Sequence, residues 1–261
     1  MSDKKNRDLA LAAERLKGLS NELAGLGIEK VTYEQVEQQY GNRVSCNALG
    51  LFDATGSMEP LWQNTRDRLQ QIVERLVRLD VDFRFQWIAY RDYSEGDRII
   101  EKSGWSSEAQ PLQRFLDQVS CFGGYGEQYP DLEEAVERGL SEAAADEEAD
   151  VVLLIGDEPP HRERDWHQQA ERLAQLQRRV HCFVVGRGRH TFKVFSEIAK
   201  ITGGTCNYLD DFDALIDVIV MSVLAEAGEG SEARLNAYEQ TFRLSHEGKK
   251  LKQDLLRLQK L

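Results

Sequence analysis

Three side chains with oxygen donors stand at alternate positions directly after the first apolar strand-like stretch of the chain. They are Asp53, Thr55 and Ser57, within the segment Asp-Ala-Thr-Gly-Ser. Capping of the following helix would use one such oxygen and leave two unexplained. Because hard cations such as Mg²⁺ prefer oxygen ligands, this segment is a candidate for half of a divalent-metal site. Asp157, which follows a second apolar run across Gly156, is the candidate for completing it.

The elements that would position these residues are predicted from the alternation of apolar and amphipathic segments. Strands are expected at residues 44–52, 83–90, 151–155, 180–185 and 205–209, and helices at 60–79, 111–119, 131–145, 165–179, 191–201 and 212–225. This order predicts an α/β fold with a doubly wound, mainly parallel sheet and helices on both faces. A tight turn at 94–97 leads into a short strand around 99–100, which must be an antiparallel edge strand because no crossover helix fits. Ligands in such sheets gather where strands end at the carboxyl edge, so Asp53 and Asp157 are expected to meet there.

The two ends of the chain differ in character from this core. We expect an N-terminal helical extension at residues 1–41, the α/β domain at 42–227 and a C-terminal amphipathic helix at 228–261. Leucines and alanines in 9–26 follow a heptad seam, and apolar residues in 231–261 recur at steps of three and four. These helices are predicted to pack on each other or on the domain, or to dock a partner or a second copy and so mediate oligomerisation.

Composition excludes several classes of protein. A net charge of −12 disfavours tracking of a nucleic-acid backbone, and no apolar run reaches the roughly 18 residues that would span a membrane. The highly charged start of the chain leads into no apolar signal core, so a cytoplasmic location is expected. The four cysteines form no Cys-x-x-Cys pair and are interpreted as reduced thiols. A zinc site that combines them with His161, His167 or His181 is the alternative.

Four segments together resemble the von Willebrand factor A domain family. Its metal-ion-dependent adhesion site has the pattern Asp-x-Ser/Thr-x-Ser, and Asp53, Thr55 and Ser57 occupy those places. The run from Asp157 to His161 resembles the Asp-x-Pro-Pro-His form of bacterial intracellular members. Tyr-Arg-Asp at 90–92 and Thr-Gly-Gly at 202–204 resemble further segments of those members. The resemblance covers about residues 44–226.

The resemblance implies a site that binds Mg²⁺ (or Mn²⁺) and leaves one position open for an Asp or Glu of a partner protein. It implies a non-enzymatic, cytoplasmic adaptor or scaffold, within an ATPase-containing or other multi-protein assembly. The family usually adds a Thr from the loop that corresponds to residues 122–131. That loop contains no Thr here, and Glu127 is the candidate ligand in its place. The residues expected to rim the site for the partner are Arg91, Glu158, His161, Arg162, Arg187 and Arg189.

Two other functions remain open at this level. In the first, the metal is structural and the helical extensions recognise the partner. In the second, the segment at 53–57 resembles the phosphorylated motif of haloacid-dehalogenase-like phosphotransferases, with Asp53 as the nucleophile. Most of that family has a second Asp two places later, where this chain has Thr55.

Overall fold

The computed structural model describes residues 45–79, 81–122, 136–160, 165–210, 214–228 and 230–259. The strands are β1 (Ser45–Asp53), β2 (Asp82–Tyr90), β3 (Ile100–Lys102), β4 (Val151–Gly156), β5 (Arg179–Val185) and β6 (Cys206–Leu209). The helices are α1 (Glu59–Arg78), α2 (Ala109–Gln118), α3 (Val136–Ala145), α4 (Trp166–Gln175), α5 (Arg189–Thr202), α6 (Leu215–Glu226), α7 (Ser231–Thr241) and α8 (His246–Leu258). All of them belong to one compact unit, residues 44–261. The helical extension predicted for residues 1–41 lies outside the described residues.

The six strands form a single sheet in the order β3-β2-β1-β4-β5-β6. β3 is antiparallel to β2, and every other neighbouring pair is parallel. This confirms the predicted class, a doubly wound α/β sheet with one antiparallel edge strand. The chain builds outward from β1 in one direction and from β4 in the other, so the order reverses between these two strands. That junction is the topological switch point, where open α/β sheets form a crevice.

Apolar side chains alternate between the two faces of the central strands. On β4, Val151, Leu153 and Ile155 pack on one face, while Val152 and Leu154 pack on the other. Helices α1, α2 and α6 cover the first face, and α3, α4 and α5 cover the second. A strand buried on both faces needs a continuous apolar run, which explains why β4 was recognisable in the sequence.

The C-terminal segment, predicted as one amphipathic helix, forms two helices. The break lies at residues 242–245, where the Ser245 hydroxyl accepts a hydrogen bond from the Gly248 amide at 3.0 Å and so caps α8. Leu235 of α7 and Leu251 of α8 are fully buried and belong to the same apolar core as α6. Because residues 215–225 of α6 are buried on every side, α7 and α8 serve as its outer cover.

Two local boundaries also differ from the prediction. The turn expected at 94–97 is a longer stretch, Tyr93–Arg98, in which two short 3₁₀ turns are separated by a kink where Gly96 adopts a φ of 58°. The helix expected to reach 179 ends at Gln175, and Gln177 has a positive φ of 57° that no helix continues through. Among the described helices, none combines the length and the apolar character that a membrane crossing requires.

Candidate metal centre

Asp53, Thr55 and Ser57 form one cluster of oxygen atoms at the carboxyl end of β1. The Thr55 amide and hydroxyl both donate to Asp53 Oδ1, at 2.8 and 2.7 Å. The Thr55 hydroxyl oxygen also lies 3.3 Å from that of Ser57. Asp53 and Thr55 are buried, while Ser57 is exposed to solvent. The alternate spacing therefore brings three oxygen-bearing side chains together at the rim of the sheet.

Three hydrogen bonds to its backbone groups hold this segment in place. The Trp62 indole donates to the Asp53 carbonyl at 2.6 Å. The Ala54 amide donates to the Tyr90 carbonyl at 2.8 Å, and the Ala54 carbonyl accepts from the Phe122 amide at 3.2 Å. The sequence did not predict these contacts, because it indicates Trp62 only as part of a helix face and Phe122 only as the first residue of the loop at 122–131.

The hydroxyls of this segment are not used to cap the helix that follows. Helix α1 is preceded by a 3₁₀ turn, Gly56–Met58, and its N-cap residue is Met58, which makes no side-chain capping bond. Thr55 is the N-cap of the 3₁₀ turn and also makes no side-chain capping bond. Capping therefore does not explain why oxygen-bearing residues occupy positions 53, 55 and 57.

Asp157 follows the end of β4, the strand next to β1. A Cβ placed on Gly156 would lie 3.6 Å from Asp53 Oδ2 and 2.4 Å from the Tyr90 hydroxyl, so the ends of the two strands approach closely here. The Thr191 hydroxyl donates to the Asp157 carbonyl at 2.9 Å. Asp157 Oδ1 is buried, and no hydrogen-bond partner for it lies within the described part of the chain.

Three of the predicted rim residues are exposed beside this strand end. Glu158 follows Asp157 directly. The carboxyl is partly desolvated by its neighbours, which together with the charge of Asp157 raises the pKa of Glu158, and His190 opposes the rise. Arg187 is 85% exposed and pairs with Asp210 at 3.1 Å, and Arg189 is exposed at the start of α5.

Arg91 does not occupy the rim position predicted for it. Its side chain is fully buried, and its guanidinium binds the backbone carbonyls of Arg98 and Ser120. A buried guanidinium with these bonds presents no charge to a partner. The remaining predicted residues, Glu127, His161 and Arg162, lie outside the described residues.

Cys121 is a neighbour of the centre that the sequence did not suggest. Burial and the nearby carboxylates of Glu59 and Asp53 raise the pKa of its thiol far above the ordinary value, so the thiol is protonated at neutral pH. Cys121, Cys182 and Cys206 are free thiols. Within the described ranges, no group of three or more His, Cys, Asp or Glu side chains could hold a metal ion. The candidate centre consequently depends on hydroxyl donors as well as carboxylates.

Comparisons with known proteins bear on the fold alone. No protein-family model matches the sequence, and no curated protein matches it. Two crystal structures of proximal thread matrix protein 1 from the mussel byssus are similar, with TM-scores of 0.51 and 0.50 and identities of 14% and 17%. They cover 68% and 69% of this chain, which spans 48% and 45% of theirs. A von Willebrand factor type A structure from Catenulispora acidiphila has a TM-score of 0.51 and 15% identity, and covers 71% of this chain and 43% of its own.

These likenesses support the von Willebrand factor A fold for this chain, in agreement with the strand order and the antiparallel edge strand. The chain spans less than half the length of the solved structures that it matches.

Proposed function

We propose that this protein is a Mg²⁺-dependent protein-interaction module, an adaptor or scaffold rather than an enzyme, which binds an acidic residue of a partner through its metal. One observation carries the proposal. The oxygens of Asp53, Thr55 and Ser57 cluster at the switch point of the sheet, beside the strand end that bears Asp157. Crevices at such switch points are the usual ligand sites of this class of fold.

The residues present fit a hard divalent cation such as Mg²⁺ or Mn²⁺. Hydroxyl and carboxylate oxygens are the donors that such ions prefer. A buried carboxylate oxygen is costly without a partner, and Asp157 Oδ1 meets none among the described residues. A cation would satisfy this oxygen. Asp53, Thr55, Ser57 and Asp157 are thus the proposed metal-binding set, with Glu127 proposed as a further member.

The bound ion would supply an electrophilic position for an external carboxylate. Thr55 and Ser57 are neutral, so they hold a cation without cancelling its charge, and a carboxylate that approaches it is attracted by charge. The exposed guanidinium groups of Arg187 and Arg189 can steer an acidic partner toward this edge of the sheet. Glu158 lies on the same rim and would repel a second acidic group, which favours a partner with a single well-placed Asp or Glu.

The first test is a thermal-shift titration with MgCl₂ and MnCl₂. At an ion concentration of about 100 Kd, linkage stabilises the folded state by about 2.7 kcal/mol, which raises Tm by roughly 5–11 °C for a domain of this size. Asp53→Asn and Asp157→Asn should lose this shift. Asp97→Asn, which changes an exposed carboxylate in the 3₁₀ segment, is the matched control and should keep it. A wild-type Tm that does not respond to millimolar ion would refute the metal site.

The second test separates an ion that bridges to a partner from an ion that is structural. A fluorescent peptide with a single glutamate in a neutral Gly/Ser sequence should bind the wild-type protein in Mg²⁺ and not in EDTA, while the same peptide with glutamine in its place should bind in neither. If the peptides behave alike although Mg²⁺ raises Tm, the ion is structural and recognition belongs to the helical segments. Hydrolysis of p-nitrophenyl phosphate that disappears in Asp53→Asn would instead favour a phosphotransferase.

A further inference from the structure

Arg91 directly follows Tyr90, the residue of β2 that pairs with Asp53, and its side chain is wholly removed from solvent. Its Nη2 and Nε atoms donate to the Ser120 carbonyl at 2.9 and 3.3 Å, and its Nη1 donates to the Arg98 carbonyl at 2.8 Å. The Glu101 carboxylate on β3 lies 2.6 Å from Nη2 and balances the charge. A buried arginine is tolerated when both its charge and its N–H groups are satisfied, and here most of its hydrogen bonds go to backbone carbonyls.

The same guanidinium contacts the aromatic ring of Phe122. The Arg91 Cζ atom is 4.7 Å from the ring centroid, and the Arg98 Cζ atom is 4.2 Å from it. Both distances lie within the range of favourable cation–π contacts. Arg91 therefore holds the segment 120–122 at its first residue by hydrogen bonds and at its third residue by a ring contact.

The held segment is bonded directly to the metal-binding turn. The Phe122 amide donates to the carbonyl of Ala54, the residue between Asp53 and Thr55, at 3.2 Å. The Ala54 amide donates to the carbonyl of Tyr90, the residue immediately before Arg91, at 2.8 Å. The contacts form a closed ring, from Arg91 through the segment 120–122 to Ala54 and back to β2.

We propose that Arg91 is a positioning residue for the metal centre. It fixes the segment 120–122 against Ala54, and so sets the backbone between the carboxylate at 53 and the hydroxyl at 55. The metal-affinity part of this proposal rests on the proposed function, whereas the ordering of the backbone does not. Arginine is required because two of its nitrogens share one carbonyl while a third reaches another. The single ammonium of lysine cannot reproduce that fork.

The test is Arg91→Lys, which keeps the charge and loses the fork. Loss of an outer contact that orients metal ligands typically weakens binding about 10- to 100-fold, and we expect a loss of at least about tenfold in Mg²⁺ affinity by calorimetry. The matched control is Arg75→Lys. Arg75 is part-buried and pairs with Asp217 at 3.0 Å. It is remote from the centre, because 16 residues of α1 separate it from Glu59 at the start of that helix, a distance of about 24 Å at a rise of 1.5 Å per residue. It should lower Tm and leave Mg²⁺ affinity unchanged.

A second measurement follows amide hydrogen exchange in the metal-free proteins. Arg91→Lys should accelerate exchange at the amides of Ala54 and Phe122, while the amides of β4 and β5 keep their wild-type rates. Unchanged exchange at these two amides, or a wild-type Mg²⁺ affinity in Arg91→Lys, would overturn the proposal. If the wild-type protein itself binds no Mg²⁺, the proposed function fails. The exchange data then decide the positioning role alone.

Should Arg91→Lys fail to fold, Phe122→Leu takes its place. It keeps an apolar side chain and the backbone amide that bonds Ala54, but removes the ring that both guanidinium groups contact. We expect faster exchange at Ala54 and a smaller loss of Mg²⁺ affinity, by about two- to fivefold, in line with a cation–π contact of roughly 0.5–1 kcal/mol. Wild-type exchange rates and affinity in this variant would count against the ring of contacts.

Discussion

Gly156→Ala is expected to destabilise the protein by a clash with a single hydroxyl. The backbone φ of Gly156 is not positive, so its conformation is open to any residue. The difficulty is space, because an added Cβ would lie 2.4 Å from the Tyr90 hydroxyl oxygen. The next atoms are Asp53 Cβ at 3.4 Å and Asp53 Oδ2 at 3.6 Å, which are ordinary contacts.

The expected magnitude follows from this geometry. Adding a methyl group to a packed site costs about 1–3 kcal/mol, which lowers Tm by roughly 2–12 °C for a domain of this size. Tyr90→Phe removes the obstructing oxygen and also its bond to the Ile155 carbonyl, which at 3.3 Å is long. That loss should cost about 1 kcal/mol. In the Tyr90→Phe background, Gly156→Ala should then cost less than about 1 kcal/mol.

The assay is a double-mutant cycle by urea unfolding without added metal, with Tm as a second readout. A double-mutant loss smaller than the sum of the two single losses would show that the tyrosine hydroxyl limits the space at Gly156. If the two losses simply add, the close approach of the Tyr90 hydroxyl to Gly156 is wrong. The packing from which the close approach of the two strand ends was inferred would then be wrong at this contact.

Two further predictions concern parts of the molecule away from the centre. Asp217→Ala should lower the free energy of unfolding by about 3–5 kcal/mol, because this buried carboxylate accepts hydrogen bonds from Arg75, Tyr238 and Ser245. The measurement is urea unfolding. A loss below about 1 kcal/mol would contradict the view that Asp217 anchors α7 and α8. Glu226→Gln should make Tm fall less steeply as the pH is lowered into the acid range. Burial alone would raise the pKa of Glu226. The hydrogen bond and charge of His181, together with the charge of Arg179, hold that pKa below the ordinary value. The stabilisation by Glu226 is therefore fully present above the pKa that it has in the unfolded chain, and it disappears as the pH falls through its lower pKa in the folded protein. Below about pH 5, Tm should therefore depend less on pH in the variant than in the wild type. Identical profiles of Tm against pH in the two proteins would refute the prediction.

Much of the fold was predictable because its central strands are buried on both faces. Such strands need continuous apolar runs, and the ends predicted for β4 and β5 fall within one residue of the observed ones. The antiparallel edge strand was predictable for a different reason. The link between β2 and β3 is too short for a helix to return the chain to the other end of the sheet.

The division of the C-terminal segment could not be predicted from local pattern. Apolar residues recur at steps of three and four from Leu235 to Phe242 and again from Leu251 to Leu258, and the sequence was therefore interpreted as one helix. The break depends on Asp217 in another helix, whose carboxylate accepts from the Ser245 amide and hydroxyl at 2.8 Å each. It is a long-range contact, and no periodicity within 228–261 contains it.

The burial of Arg91 could not be predicted either, because it also depends on contacts that are distant in the chain. Its carbonyl acceptors lie at Arg98 and Ser120, 7 and 29 residues away in the chain. An arginine beside a predicted metal site is usually interpreted as a surface charge, and only the folded backbone shows that its hydrogen bonds are made inside.

The cluster at 53–57 is informative for the charges that it lacks. With carboxylates at all three alternate positions, the site would bear enough negative charge to neutralise a divalent cation and repel a further anion. Thr55 and Ser57 are neutral. The Thr55 hydroxyl donates a hydrogen bond to Asp53, which leaves the lone pairs of the Thr55 oxygen available to a cation. Asp53 and Asp157 together carry two negative charges, so the donor set balances Mg²⁺ without the excess negative charge that would repel an external carboxylate. A third carboxylate within reach, such as that proposed for Glu127, would shift the same site toward tighter metal binding and weaker attraction for a partner.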